Sequence, residues 1–203
     1  MDSMRKCRLW VRVGIAACVV FPAGCDKSEP ESPGKYVLTL HEIEPGRAYR
    51  SGQLSPQGLS WVIDKHGIKA VLNLRGAHPE NKWYQDEEKT CRDKNVSLVS
   101  VPMSAQTMPA PDLLKSVVST LRTSPGPILI HCESGCDRTG AVAGLYRLDV
   151  LKQDRATAAR ELSSDYGHLR GQKPCMDTLI ERYEPTPEWI ARYELEHGRI
   201  ECK

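Results

Sequence analysis

The sequence predicts an α/β fold, and three observations carry that prediction. Short apolar runs alternate with segments of helical periodicity along the chain. One of these runs, Pro127–His131 (PILIH), leads through a glycine-containing loop into a helical pattern. Chain breakers separate the elements, Gly67 after the first helix and Pro125-Gly126 before PILIH.

In chain order, Tyr36–Leu40 and Arg47–Arg50 read as short strands. Ser55 caps a helix to about Lys65, with Leu59, Val62 and Ile63 on one face and Gly67 as its stop. Ile68–Leu74 (IKAVLNL) reads as a buried strand, Pro79–Lys94 as a polar helix and Val96–Val101 as another strand. Pro111–Thr123 reads as a helix with Asp112 as N-cap and Leu113, Val117, Val118 and Leu121 inward. After PILIH come helical patterns near Thr139–Leu151, Arg155–Ser164, Cys175–Tyr183 and Pro187–His197.

The chain has 203 residues, 40% hydrophobic and 27% charged, which suits a globular domain with a core of its own. It excludes collagen, a wholly disordered chain and a multi-span membrane protein. With 28 Lys+Arg against 26 Asp+Glu, the net charge of +2 gives no basis for nucleic-acid binding.

Residues 1–24 read as a bacterial signal peptide. Arg5, Lys6, Arg8 and Arg12 form a basic leader, and Val13 to Phe21 carry no charge. That run is far shorter than the ~20 residues a spanning helix needs. Ala23-Gly24-Cys25 resembles a lipobox, after which Cys25 becomes an acylated N-terminus; Pro22 departs from the aliphatic residue usual there. Cleavage would leave 24 basic against 25 acidic residues. Residues 25–35, rich in Pro, Ser, Glu and Gly, read as a lipid-anchored tether, and 36–203 as the functional domain. These features predict a membrane-anchored lipoprotein of the bacterial cell envelope, facing the periplasm.

The chemistry lies in His131-Cys132-Glu133-Ser134-Gly135-Cys136-Asp137-Arg138-Thr139-Gly140. A bare Cys-x5-Arg pair is uninformative, but the full pattern has a chance frequency of ~10⁻⁵ on composition. A strand-to-helix loop turns backbone N–H groups inward, and the helix dipole adds positive potential. Such a pocket fits a phosphoryl group. Gly135 permits the tight turn. Arg138 offers a planar fork for two phosphate oxygens. Helix N-termini and neighbouring cations favour a thiolate over a thiol, so the loop prepares Cys132 as a nucleophile. Thr139 is placed to hydrogen-bond the sulfur, and His131 to brace the loop. The substrate phosphate would lie along Glu133, Ser134, Gly135, Cys136, Asp137 and Arg138. The spacing of His131, Cys132 and Cys136 lacks a second ligand pair, so no metal is expected.

This segment resembles the signature of the Cys-based protein tyrosine and dual-specificity phosphatases. Tyr49-Arg50-Ser51-Gly52-Gln53-Leu54-Ser55 and Val71-Leu72-Asn73-Leu74-Arg75 extend the resemblance to the compact bacterial, plant and fungal branch. Membership implies a four- to five-stranded, mostly parallel sheet flanked by helices, no cofactor, and attack by Cys132 to give a cysteinyl-phosphate that water hydrolyses. The family's usual general-acid Asp, about thirty residues before the Cys, is missing: Ser100–Ala110 holds no carboxylate. Asp137, which a subset of bacterial relatives shares, is then the acid or a loop brace. Asp112 is the other candidate, with helix capping as its plainer role.

The expected substrate is a phosphorylated protein or a small phosphomonoester, handled by a monomer. Glu133 and Asp137 oppose multiply phosphorylated substrates, although relatives acting on inositol phosphates exist. A phosphate-binding module lacking a working acid is the second reading, and a rhodanese-type sulfur transferase the third. Arg50 and Arg75 read as structural residues at strand ends, and Trp83-Tyr84 as core rings, with a place beside the substrate cleft as the alternative. Excluding Cys25 and Cys132, residues 25–203 keep Cys91, Cys136, Cys175 and Cys202, which allow three disulfide pairings. Cys136 is also a possible reversible partner for an oxidised Cys132.

Overall fold

The computed structural model describes residues 39–202, which belong to one compact unit. The expected signal peptide, Cys25, the expected tether and positions 36–38 lie outside the described residues. Five strands form one sheet in the order β1-β2-β5-β3-β4. They are β1 (His41–Glu44), β2 (Ala48–Ser51), β3 (Ala70–Asn73), β4 (Ser97–Ser100) and β5 (Ile128–His131). β1 pairs antiparallel with β2, and the remaining pairs are parallel. The expected mostly parallel sheet is therefore present.

The first strand is a correction. Thr39 and Leu40 precede it, in a turn and an irregular position, and the strand runs over His41–Glu44. Its sequence, HEIE, buries only Ile43. An edge strand with one apolar residue carries no alternation to read. Pro45-Gly46 turns the chain into β2, with Gly46 at φ +69°.

Helices cover both faces. They are α1 (Pro56–His66), α2 (Lys82–Asp93), α3 (Pro111–Thr123), α4 (Asp137–Asp149), α5 (Arg155–Ala159), α6 (Pro174–Arg182) and α7 (Pro187–Glu196). Period-two alternation sorts the strands: Val71 and Leu129 join Leu59, Val62 and Ile63 of α1 on one side. Ala70, Leu72, Ile128 and Ile130 meet α3, α4 and α6 on the other. Each fully buried Leu or Ile contributes about 1.5–3 kcal/mol, so Leu129 or Ile130 cut to Ala would cost about 2–5 kcal/mol.

α1 follows its expected caps: Ser55 accepts from Gly58 N, and Gly67 closes the end at φ +64°. α3 does not. Its N-cap is Ala110, which offers no side-chain acceptor, while Asp112 sits inside the first turn, and Leu114 rather than Leu113 is fully buried. Pro111 takes the first helical position, where its missing N–H costs nothing, and this moves the cap two residues upstream of Asp112, to Ala110. α4 begins at Asp137, two residues earlier than the periodicity predicts, and α5 ends at Ala159 rather than Ser164. α4 is buried from Thr139 to Tyr146 without a polar face, which marks it as the central helix. Gly144 admits α6: a Cβ there would lie 2.7 Å from Ile180 Cδ1.

β5 lies between β2 and β3, so its C-terminal end opens at the middle of the sheet. Ligands of open parallel sheets bind outside the carboxyl ends of the strands.

Candidate active site

The loop from Cys132 to Cys136 connects β5 to α4, and its walls are the ends of β2 and β3. Leu74 N donates to His131 O at 2.9 Å, and Gln53 N donates to Glu133 O at 2.9 Å. Arg50 Nη2 donates to Gly135 O at 2.8 Å and reaches Cys136 O at 3.4 Å. In a trans peptide the C=O and N–H point in opposite directions. Holding the carbonyls of Glu133 and Gly135 toward β2 therefore turns the N–H groups of Ser134 and Cys136 the other way. Successive inward N–H groups at the start of α4 form an anion-binding concavity.

Gly135 has φ +80°, and a Cβ there would lie 2.6 Å from Gly52 N and 2.8 Å from Ser51 C. Gly52 meets the same limit from the other side, 3.0 Å from Glu133 O. The two backbones touch, which explains the glycine in each segment.

Cys132 is 1% exposed, and its Sγ accepts from Gly135 N at 3.3 Å. The expected bond from Thr139 is not formed. Thr139 Oγ1 is buried with no hydrogen-bond partner among the described residues, and the loop's own amide takes its place at the sulfur. Glu133 and Ser134 are exposed, Gly135 is buried, and Cys136, Asp137 and Arg138 are half-buried. Arg138 Nη1 lies 3.4 Å from both Leu74 O and Met103 O, placing the guanidinium between β3 and the segment after β4.

Two buried ion networks support the loop from behind. Arg50, 1% exposed, donates through Nη1 to Glu161 O at 2.8 Å and to Glu161 Oε2 at 2.6 Å. Arg147 holds the other Glu161 oxygen, and the Arg50 guanidinium lies 3.9 Å over the Tyr166 ring. Arg50 is thus a structural residue that fixes loop carbonyls. On the opposite side, Glu87 Oε2 accepts from Asn73 Nδ2 at 2.8 Å, and Glu87 Oε1 accepts from Gln53 Nε2 at 3.1 Å. His131 Nε2 sits 2.8 Å from Glu87 Oε1 but off the line a hydrogen bond needs. Its Nδ1 lies 3.3 Å from Cys132 O, consistent with a brace.

Asp137 does not stand alone. Its Oδ1 is 2.7 Å from His168 Nδ1, and His168 Nε2 is 3.1 Å from Asp177 Oδ2. Asp112 is exposed on α3 and bonds nothing in the loop. Arg75 stacks 3.5 Å over Trp83 and donates to Gln53 Oε1 at 3.0 Å. Tyr84 enters the core, but Trp83 stays half-buried beneath Arg75. Cys175 and Cys202 form a disulfide, and Cys91, Cys132 and Cys136 are free.

Sequence reasoning missed Glu87, Glu161, His168 and Asp177. None lies in a local motif. The one hint is Gly140, where a Cβ would lie 2.6 Å from Glu161 O, so that glycine marks the approach of the Glu161 segment.

The fold and the loop together define a Cys-based phosphatase domain. A family model described as a DSP-PTPase phosphatase fused to NAD+ kinase matches residues 39–177, and the chain belongs to this dual-specificity-type phosphatase family. The dual specificity protein phosphatase TpbA of Pseudomonas aeruginosa strain UCBPP-PA14 is 36% identical over 166 residues, covering 75% of this chain and 71% of that protein. A crystal structure of P. aeruginosa TpbA with pTyr matches at a TM-score of 0.53 and 18% identity, over 83% of this chain and 100% of that one. A probable chloroplastic NAD kinase 2 of Oryza sativa subsp. japonica is 27% identical over 129 residues, 62% of this chain; the chain spans only 13% of that longer protein. The catalytic core of the PP-IP phosphatase SIW14 from S. cerevisiae, crystallised with citrate, has the same fold. Its TM-score is 0.60 at 21% identity, over 81% of this chain and 96% of that one.

Proposed function

We propose that the protein is a Cys-dependent phosphomonoester hydrolase that acts on phosphorylated protein, phosphotyrosine above all, from a lipid anchor on a bacterial envelope membrane, facing the periplasm. One observation carries the chemistry: the Cys132 sulfur accepts from the Gly135 amide within a loop whose amides turn inward, and Arg138 on the helix that follows holds its guanidinium at Leu74 O and Met103 O. The phosphate binds in the amide concavity and across Arg138. Cys132 attacks phosphorus as the ester P–O bond breaks, and Asp137 gives its proton to the departing oxygen. Water then attacks the cysteinyl-phosphate, Asp137 takes the water's proton, and the thiolate leaves. A phosphate-binding module would not need the thiol, and the intact Cys132 favours catalysis.

For the substrate, TpbA is named a protein phosphatase and has been crystallised with pTyr. The exposed Glu133 and half-buried Asp137 add negative charge at the loop, which disfavours polyphosphates. The likeness to SIW14 supports an inositol phosphate as the second reading. The two separate when full chain and Cys132→Ser are assayed, chelator present, on a phosphotyrosine peptide and on an inositol pyrophosphate. Faster Cys132-dependent release from the peptide supports the proposal, and the reverse preference overturns it.

For location, residues 1–24 would be removed and Cys25 acylated. The Cys175–Cys202 disulfide supports an oxidising compartment. Among the described residues no helix is long and apolar enough to cross a membrane, so anchoring would rest on the lipid.

A further inference from the structure

His168 is the least expected residue at the site. It is buried between two carboxylates drawn from distant parts of the chain, with its side chain 0% exposed. Asp137 opens α4, and Asp177 lies in the first turn of α6. Gly167 brings His168 there: it has φ +82°, and a Cβ on it would lie 2.8 Å from Cys136 Sγ. The backbone must pass hard against the loop for the imidazole to reach Asp137. The neighbouring charge is Arg170, whose Nε lies 3.9 Å from Asp177 Oδ1.

We propose that His168 and Asp177 are positioning residues for Asp137, and that the three act as one proton relay. This rests on the reading of Asp137 as the acid and extends it. Each of the two N···O contacts needs one proton. Setting aside the arrangement that puts a proton on Asp177, two protons over three groups allow two arrangements of equal net charge. In one, an imidazolium lies between two carboxylates. In the other, a neutral His168 donates from Nε2 to Asp177, and the second proton resides on Asp137. The relay thus lets Asp137 carry a proton without changing the charge of the buried cluster. When the ester P–O bond breaks and the S–P bond forms, that proton passes from Asp137 to the leaving oxygen. In the second step an O–P bond forms and the S–P bond breaks, and the proton lost by water restores the pair. A clamp needing only rigidity would be served by apolar contacts, since buried charge costs more than it returns unless well paired.

The test compares 4-nitrophenyl phosphate, whose leaving group needs little protonation, with phenyl phosphate, whose leaving group needs it. The full chain is assayed beside Asp137→Asn, His168→Asn, Asp177→Asn and the Asp137→Asn/His168→Asn double variant. A positioned acid is worth ~10²–10⁴-fold. Asp137→Asn should lose turnover in that range on phenyl phosphate and far less on the nitrophenyl ester. His168→Asn and Asp177→Asn should show the same selectivity, and the double variant should be no worse than Asp137→Asn alone. A merely structural contact gives equal losses on both esters. That result for His168→Asn and the near-isosteric Asp177→Asn, with Asp137→Asn still selective, overturns the relay and leaves the acid standing. Asp137→Asn without leaving-group selectivity overturns the acid reading and the relay together.

Discussion

Arg50 shows how a single side chain can decide the shape of a loop it does not belong to. Its guanidinium ties Gly135 O to Glu161, and both charges are almost wholly buried. Breaking a buried ion pair costs about 3–5 kcal/mol, and here it leaves Glu161 with Arg147 alone and frees Gly135 O. Arg50→Met should therefore lower stability by about that much in urea unfolding, and should also lower turnover by releasing the loop carbonyls. Gly135→Ala should act more locally. A Cβ would meet backbone that cannot swing aside, in a conformation L-residues avoid, at a cost on the order of 1–3 kcal/mol. Phosphate affinity should fall further than stability. The signature Cys132 to Gly140 was legible at this scale because local geometry dictates residue type. The partners Glu161, Glu87, His168 and Asp177 were not, because each becomes significant only when a distant segment packs against the loop.

At the scale of elements, breakers and caps were read well where they act locally. Ser55 and Gly67 bracket α1 as expected. β1 was misplaced because an edge strand needs little apolar patterning, and the Asp112 cap because Pro111 takes the first helical position. Ala110 is exposed, has cap geometry and lacks an acceptor, so Ala110→Ser should stabilise the protein by about 0.5–2 kcal/mol in thermal or urea unfolding. Gly144→Ala should do the opposite. Its Cβ would press on Ile180 and Ala158 O, and overpacking costs about 1–3 kcal/mol.

Over the whole molecule, the Cys175–Cys202 bridge spans 27 positions and holds the chain's end against the start of α6. Closing a loop of that size is worth about 3–4 kcal/mol in the chain-entropy account, so Cys202→Ser should lose about that much stability. Alkaline pH should also weaken the fold. Burial, then a hydrogen bond to Glu44, pushes Tyr146 up to about 12 from 10.0, and burial also raises Tyr183 and Tyr193. The folded chain keeps these protons after the unfolded chain has lost them. Their contribution is complete below pH 10 and declines as pH rises toward 12, which urea unfolding across that range would follow. Burial, then the Glu87 carboxylate, raises Cys91 to about 12, so alkylation of the folded protein near neutral pH should spare it and take the activated Cys132 and half-buried Cys136 instead.

The central claim, covalent phosphoryl transfer through Cys132, is tested most directly by acid-quenching the protein during aryl phosphate turnover and mapping phosphoryl adducts by mass spectrometry. The account predicts a single adduct on the peptide that holds Cys132, absent from Cys132→Ser along with turnover. Turnover that persists in Cys132→Ser, with no adduct on any cysteine, would contradict it.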